Sequence, residues 1–378
     1  MAVTDQIDRL AAFEPAPYPV VSLYLNTQPG QTGRDQFQAF VRKEFTARSR
    51  TYPAKSPERE SLEKDLERIS SYLESELQPS ANGVAIFACS AGELFEAVQL
   101  NAPIEEHWLY IGDQPHLYPL ARLESLHPRY ALVLADTSAA RILVVATGEV
   151  EGQQEIKGTK TRRTTQGGWS QARYQRHIEN FHLHHAKEVV DALERIVQRE
   201  NVEHIILSGD EVILPLLREQ MPKHLAERIV DQVRLERDAP LDDVLKTSLA
   251  AMDKVREQSE RDKVEAAIGG YRAGGLGVVG AEETLDALVK GQVEELLITA
   301  NLRELDGADG KAAVPEDAER IVEPSAAGEP AQAEPEAVKL ADDLVTKAAQ
   351  TAARVTVVQD PALLSEYGGV AAILRFRI

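Results

Sequence analysis

Apolar positions in this chain fall into short continuous runs that alternate with stretches of helical spacing. Residues 20–26, VVSLYLN, are β-branched and aromatic-rich and predict a buried strand. Residues 33–50 and 57–77 carry helical spacing, with Phe37, Phe40 and Val41 in the first and Leu62, Leu66, Ile69, Leu73 and Leu77 in the second. Residues 83–89 and 93–100 flank Ser90-Ala91-Gly92 and predict a hairpin. A first α/β unit therefore closes near His127-Pro128.

Two further apolar strands, 130–135 and 140–146, sit either side of a short polar turn. A helix over 171–200 has Ile178, Phe181, Val189, Leu193, Ile196 and Val197 broadly on one face. Strands are expected at 203–208 and 229–235, with a helix between them. Strands alternating with helices predict a mixed or parallel sheet covered by helices.

Beyond Pro240 the pattern gives a long charged helix reaching Ile268, with Asp242 or Asp243 as its cap. Gly269-Gly270 and Gly274-Gly275 then interrupt it and are expected to form a tight turn. A helix at 278–290, a strand at 293–299, a helix at 340–351 and strands at 354–358 and 371–376 follow. Residues 303–339 hold ten acids, four bases and four prolines with little apolar periodicity, the composition of a disordered insertion. The domains expected are 1–127, 128–239 and 240–378, an α/β chain of three parts.

Composition narrows the function classes. The formal charge is −19 over 378 residues, which argues against nucleic-acid binding by the whole surface. A single cysteine, Cys89, permits no internal disulfide and no multi-cysteine zinc site. The first residues, MAVTDQIDRLAAFE, have no long apolar run, and no window approaches a membrane span, so a cytoplasmic protein without membrane contact is expected. No Gly-Lys-Ser/Thr or Gly-x-Gly-x-x-Gly motif follows a strand, so no cofactor is expected.

Against this acidic background, residues 157–187 concentrate seven Lys/Arg and one acid, Glu179. Like charges gathered locally repel one another, so their clustering points to a polyanion partner, and phosphate backbones are the commonest. The plain alternative is a solvated basic helix preceded by a loop. Gly167-Gly168 lies between two basic flanks. Lys157, Lys160, Arg162, Arg163, Arg173, Arg176 and His177 are the candidate phosphate contacts, and Trp169 and Tyr174 the candidates for stacking on bases. His177, His182, His184 and His185 share one helix without the four-residue spacing of a zinc helix, so no metal is assigned. Cys89 reads as a packed core thiol, and Asp136 and Asp210 as turn residues after strands.

Three segments together resemble the class-one release factors of archaea and eukaryotes, their Pelota-type stalled-ribosome relatives and the bacterial proteins similar to both. Gly167-Gly168, followed by Ser170-Gln171-Ala172-Arg173-Tyr174-Gln175-Arg176, resembles the family's Gly-Gly-Gln loop and helix start. Residues 280–298, GAEETLDALVKGQVEELLI, are similar to a helix–strand passage of its third domain, and 368–376, GGVAAILRF, to the end of that domain. The match covers roughly residues 128–378 in order and spacing, while 1–127 carry no matching motif. The resemblance implies a ribonuclease-H-like middle domain reaching the peptidyl-transferase centre. It also implies a C-terminal α/β/α sandwich of the kink-turn-binding ribosomal protein type, which contacts partner proteins, a translational GTPase being the candidate.

One departure bears on activity. The family's loop carries Gln where this chain has Trp169. The glycines keep the small backbone that a crowded RNA pocket requires, but the side chain is now bulky and donates only from its indole nitrogen. Gln166 and Gln171 flank the loop and carry the missing amide, which makes Gly167, Gly168, Gln166 and Gln171 the catalytic candidates. Three readings follow. The first is a factor that occupies the A site of idle or stalled ribosomes without efficient hydrolysis, for rescue, quality control or hibernation, next to ribosomal RNA and the end of the P-site tRNA. The second is a peptidyl-tRNA hydrolase with an altered loop, and the third a protein-interaction module built on the acidic insertion.

Overall fold

The computed structural model describes residues 3–14, 18–28, 37–102, 104, 107–158, 171–305 and 336–377. They form two compact units, one of residues 1–126 with 259–378 and the other of 127–258. The class is α/β with three sheets, as the alternation of elements predicts.

The first unit begins with α1 (Val3–Ala11), β1 (Val20–Asn26), α2 (Phe37–Ser49), α3 (Pro57–Ser75), β2 (Gly83–Cys89), β3 (Leu94–Leu100), β4 (Trp108–Gly112) and α4 (Tyr118–Leu126). The expected hairpin is β2–β3, and the antiparallel sheet runs β3-β2-β1-β4. Helix α3 starts where Ser56 accepts the Arg59 amide and Pro57 supplies a preset φ. Alternate residues of the strands face opposite ways. Val21, Leu23, Val84 and Ile86 pack on Phe45, Leu62 and Ile69, while Tyr24, Ala85 and Phe87 join a core that continues into the C-terminal region. Cys89 is fully buried, and burial pushes its thiol up, which suits a packed core thiol.

The second unit contains β5 (Tyr130–Ala135), β6 (Ala139–Ala146), β7 (Glu149–Lys157), α5 (Gln171–Arg199), β8 (His204–Gly209), α6 (Ile213–Gln220), α7 (Lys223–Ala226) and β9 (Ile229–Gln232). The sheet order is β7-β6-β5-β8-β9, with β5–β6 and β6–β7 antiparallel and β5–β8 and β8–β9 parallel. That is the ribonuclease-H-like arrangement. Strand β7 was not foreseen. Every one of its residues is exposed or half-buried, so it lacks the apolar run that marks β5 and β6.

The chain continues through α8 (Leu241–Arg272), β10 (Gly277–Val279), α9 (Ala281–Val289), β11 (Val293–Thr299), α10 (Glu336–Gln350), β12 (Arg354–Val358) and β13 (Val370–Leu374). The sheet order is β10-β13-β11-β12. Val264 and Ala267 of α8 pack on Leu297, Val358 and Ala371 on one face. Leu288 of α9 and Leu344 of α10 share a core with Leu296, Ile298 and Ala372 on the other, completing an α/β/α sandwich. The expected turn at Gly269-Gly270 is corrected, since α8 runs through both to Arg272 and the chain turns at 274–275. At Gly270 the missing side chain serves packing instead, since a Cβ there would lie 3.0 Å from the Gly277 amide nitrogen. A Cβ on Gly277 would lie 2.0 Å from the Ala267 carbonyl oxygen, so helix and strand meet backbone to backbone. Both flanks of the expected acidic insertion are folded, with a short turn at Leu302–Glu304 and α10 starting at Glu336, while 306–335 lie outside the described residues.

Tyr130 offers a direct check on the second unit. It is 2% exposed, its hydroxyl meets Ser248 Oγ at 2.8 Å, and burial pushes its pKa up to about 12. A raised folded-state pKa gives stability that is whole below the unfolded value near 10 and lost as pH rises through 12. The loss is expected at ~1.4 kcal/mol per pH unit. Tyr130→Phe should flatten this alkaline limb in urea titrations between pH 10 and 12, and an unchanged limb would refute the assignment.

Candidate nucleic-acid interface

The basic segment leaves the sheet at the end of β7 and returns as α5. Lys157, the last residue of β7, is exposed, with Glu155 3.9 Å away. The next residue, Gly158, donates its amide to the Ser138 carbonyl at 2.9 Å. The turn carrying Ser138 is itself fixed by Asp136, whose Oδ1 accepts from the Ser138 and Ala139 amides and the Ser138 hydroxyl. Burial pushes the Asp136 carboxyl up, but those hydrogen bonds and Arg237 at 3.1 Å together hold it below the usual range. Asp210 accepts the Val212 and Ile213 amides. Both acids are turn and cap residues, as their place after strands predicts.

Residues 159–170 lie outside the described residues, and with them Lys160, Arg162, Arg163, Gln166, Gly167, Gly168 and Trp169. Helix α5 contains Gln171, Arg173, Tyr174, Arg176 and His177 in its first two turns. The side chains of Gln171, Arg173, Tyr174 and His177 are also outside the described part, and Arg176 is exposed.

Burial along α5 is uneven. Ala186, Val189, Val190, Leu193, Ile196 and Val197 are buried in the sheet's core, whereas Arg176, Glu179, Asn180, Leu183 and His184 are exposed. Core contact starts at His185, ~21 Å along the axis from Gln171 at 1.5 Å per residue. The half of the helix nearest the Gly-Gly pair is therefore held by its continuity with the anchored half.

His185, one of the four histidines the sequence places on this helix, sits at the base of this arrangement. It is 1% exposed, and neither ring nitrogen has a hydrogen-bond partner among the described residues. A Cβ on Gly158 would lie 2.9 Å from the Ser138 carbonyl oxygen, 3.1 Å from Phe181 and 3.3 Å from His185 Nδ1. Only glycine fits there. Gly158→Ala should push the loop base off α5 and cost about 1–3 kcal/mol, read as a lower urea midpoint. An unshifted midpoint would show that the contact is not tight. Of the other histidines, His184 Nε2 lies 3.4 Å from Glu188 Oε1. Among the described residues no three His, Cys, Asp or Glu side chains are grouped to hold a metal ion. Among them, too, no helix is long and apolar enough to cross a membrane.

Residues 115–253 match the family model described as bacterial archaeo-eukaryotic release factor family 10, and residues 258–378 match that of eRF1 domain 3. No curated protein matches the sequence. Among solved structures, an archaeal translation termination factor, aRF1, is similar at 18% identity and TM-score 0.26, over 99% of this chain and 97% of that one. Archaeoglobus fulgidus Pelota is similar at 16% identity and TM-score 0.34, covering 80% and 82% of the two chains. S. cerevisiae Dom34, described as a translation termination-like factor, is similar at 13% identity and TM-score 0.42, covering 78% and 79%.

Proposed function

The chain is a bacterial archaeo-eukaryotic release factor-like protein, and on that premise we propose that it binds ribosomes through residues 157–187 and occupies the A site without efficient hydrolysis. The carrying observation is the combination of Gly167-Gly168 and its cationic flanks with Trp169 at the hydrolytic glutamine's position. The glycines and cations serve entry into an RNA-walled site. A Trp side chain lacks the amide that would orient water and steady the oxyanion. In this reading Lys157, Lys160, Arg162, Arg163, Arg173, Arg176 and His177 contact phosphates, Trp169 and Tyr174 stack on bases, and a translational GTPase is the candidate partner of the third domain.

Co-sedimentation with ribosomes at low salt tests the binding, and free protein remaining in the supernatant would defeat it. The flanking Gln166 and Gln171 support a second reading, peptidyl-tRNA hydrolysis through the altered loop. The two readings part on one assay. Occupancy alone predicts no release of labelled peptide from ribosome-bound peptidyl-tRNA, whereas a hydrolase predicts release that Gly168→Ala abolishes.

A further inference from the structure

We propose that the exposed face of α2, in the first unit, is a second surface that binds RNA phosphates, separate from residues 157–187. Residues 38–55 hold five cations, Arg42, Lys43, Arg48, Arg50 and Lys55, and one acid, Glu44, a local charge of +4 in a chain of −19. Glu44 is 2% exposed, with Arg48 beside it and Lys43 Nζ 3.8 Å away. The outer face, made of Gln38, Ala39, Arg42, Lys43, Thr46 and Arg50, is therefore without an exposed carboxylate.

Helix α3 shows how a solvated face is built in the same unit. Each of its cations has an acid three or four residues away: Arg59 has Glu63 at 2.9 Å, Lys64 has Glu60 and Glu67, and Arg68 has Asp65. On α2, Arg42, Lys43 and Arg50 have no acid at those spacings. Among the described residues the guanidinium groups of Arg42 and Arg50 have no ion-pair or hydrogen-bond partner. The helix dipole accounts for Arg48 and Arg50 at the C-terminal end. It does not account for Arg42 and Lys43, which stand near the middle of Phe37–Ser49.

The same face selects a nucleic acid over a protein. A protein partner draws most of its affinity from large apolar or aromatic anchors, and among the described residues none is exposed between 37 and 55. Phosphate contacts need no such anchor, since arginine, lysine and polar side chains such as Gln38 make them. From Arg42 to Arg50 the helix advances ~12 Å at 1.5 Å per residue, room for several phosphates of one strand at ~3.4 Å each. The inference rests on the ribosome reading only for the identity of the RNA.

The test uses the full-length protein and a fluorescein-labelled RNA hairpin, followed by anisotropy at several salt concentrations. Arg42→Gln together with Arg50→Gln should weaken binding about tenfold near 0.15 M salt and shallow the slope of log K on log salt by ~1.4–1.8. Lysine at both positions should keep the slope, because the point charge remains. The melting temperature should not move, since both side chains are exposed and unpaired among the described residues. Protein that binds the hairpin through these arginines yet stays off ribosomes would support this inference while defeating the ribosome reading. The inference is overturned if the parent does not bind the hairpin, or if the double glutamine variant keeps the parental slope. It is equally overturned if a poly-glutamate peptide of the same charge displaces the hairpin as well as unlabelled RNA does, which would make an acidic protein the occupant.

Discussion

Changing Arg162, Arg163, Arg173 and Arg176 together to glutamine is expected to weaken ribosome binding a hundred- to a thousandfold near 0.15 M salt. Each arginine that neutralises a phosphate releases condensed counterions, and log K falls with log salt by about 0.7–0.9 per contact. Four lost contacts should therefore shallow the slope by ~3–3.6. Between about 50 and 200 mM salt the parent should lose on the order of a hundredfold more affinity than the variant. The measurement is a co-sedimentation isotherm at several salt concentrations. A variant with the parental slope would show that these side chains do not meet phosphate. Arg173 and Arg176 stand ahead of His185, the first fully buried side chain described on α5, so the variant should unfold like the parent.

Asp342→Ala is expected to destabilise the first unit by about 3–5 kcal/mol, because it removes the acceptor that three buried donors share. Asp342 is 1% exposed on α10 and serves three groups from the N-terminal region at once. Its Oδ2 accepts from His116 Nδ1, and its Oδ1 accepts the Leu117 and Tyr118 amides, each at 3.0 Å. Those amides open α4, where a negative group also suits the helix dipole. Around them the Tyr118 hydroxyl donates to the Thr299 carbonyl at 2.9 Å and Gln114 donates to Asp343 at 2.8 Å. Alanine would leave an imidazole and two backbone donors buried without acceptors, each costing about 1–3 kcal/mol. That is a large share of a typical domain's 5–15 kcal/mol, so the urea midpoint should fall sharply. Asp342→Asn keeps an acceptor for the two amides and should cost less. A midpoint within error of the parent would show that His116 and the α4 amides find water on removal of the carboxylate.

Most of the fold was legible because its strands are buried on both faces. Strands β2 and β5 read as unbroken apolar runs for that reason. Helix α5 was legible over its whole length, because Ile178, Phe181, Val189, Leu193, Ile196 and Val197 recur at helical spacing. Strand β7 was not, because an edge strand with no fully buried residue leaves no apolar period. Gly269-Gly270 misled, since a glycine marks a turn as readily as a close approach, and only the position of Gly270 against the Gly277 backbone shows the second.

For the site, the sequence by itself supplied the candidates: the glycine pair, the cations and the tryptophan at the position of the resembling family's glutamine. Charge clustering and motif spacing are local properties, written in consecutive residues. Tertiary structure alone decided that Gly158 and His185 close the loop's base, and that His116 and Asp342, 226 residues apart, join the N-terminal and C-terminal regions in one core. A contact between distant residues leaves no period in either segment. It arises only when two separately specified surfaces bury their polar groups against each other, and the chain's order of residues does not encode that meeting point locally.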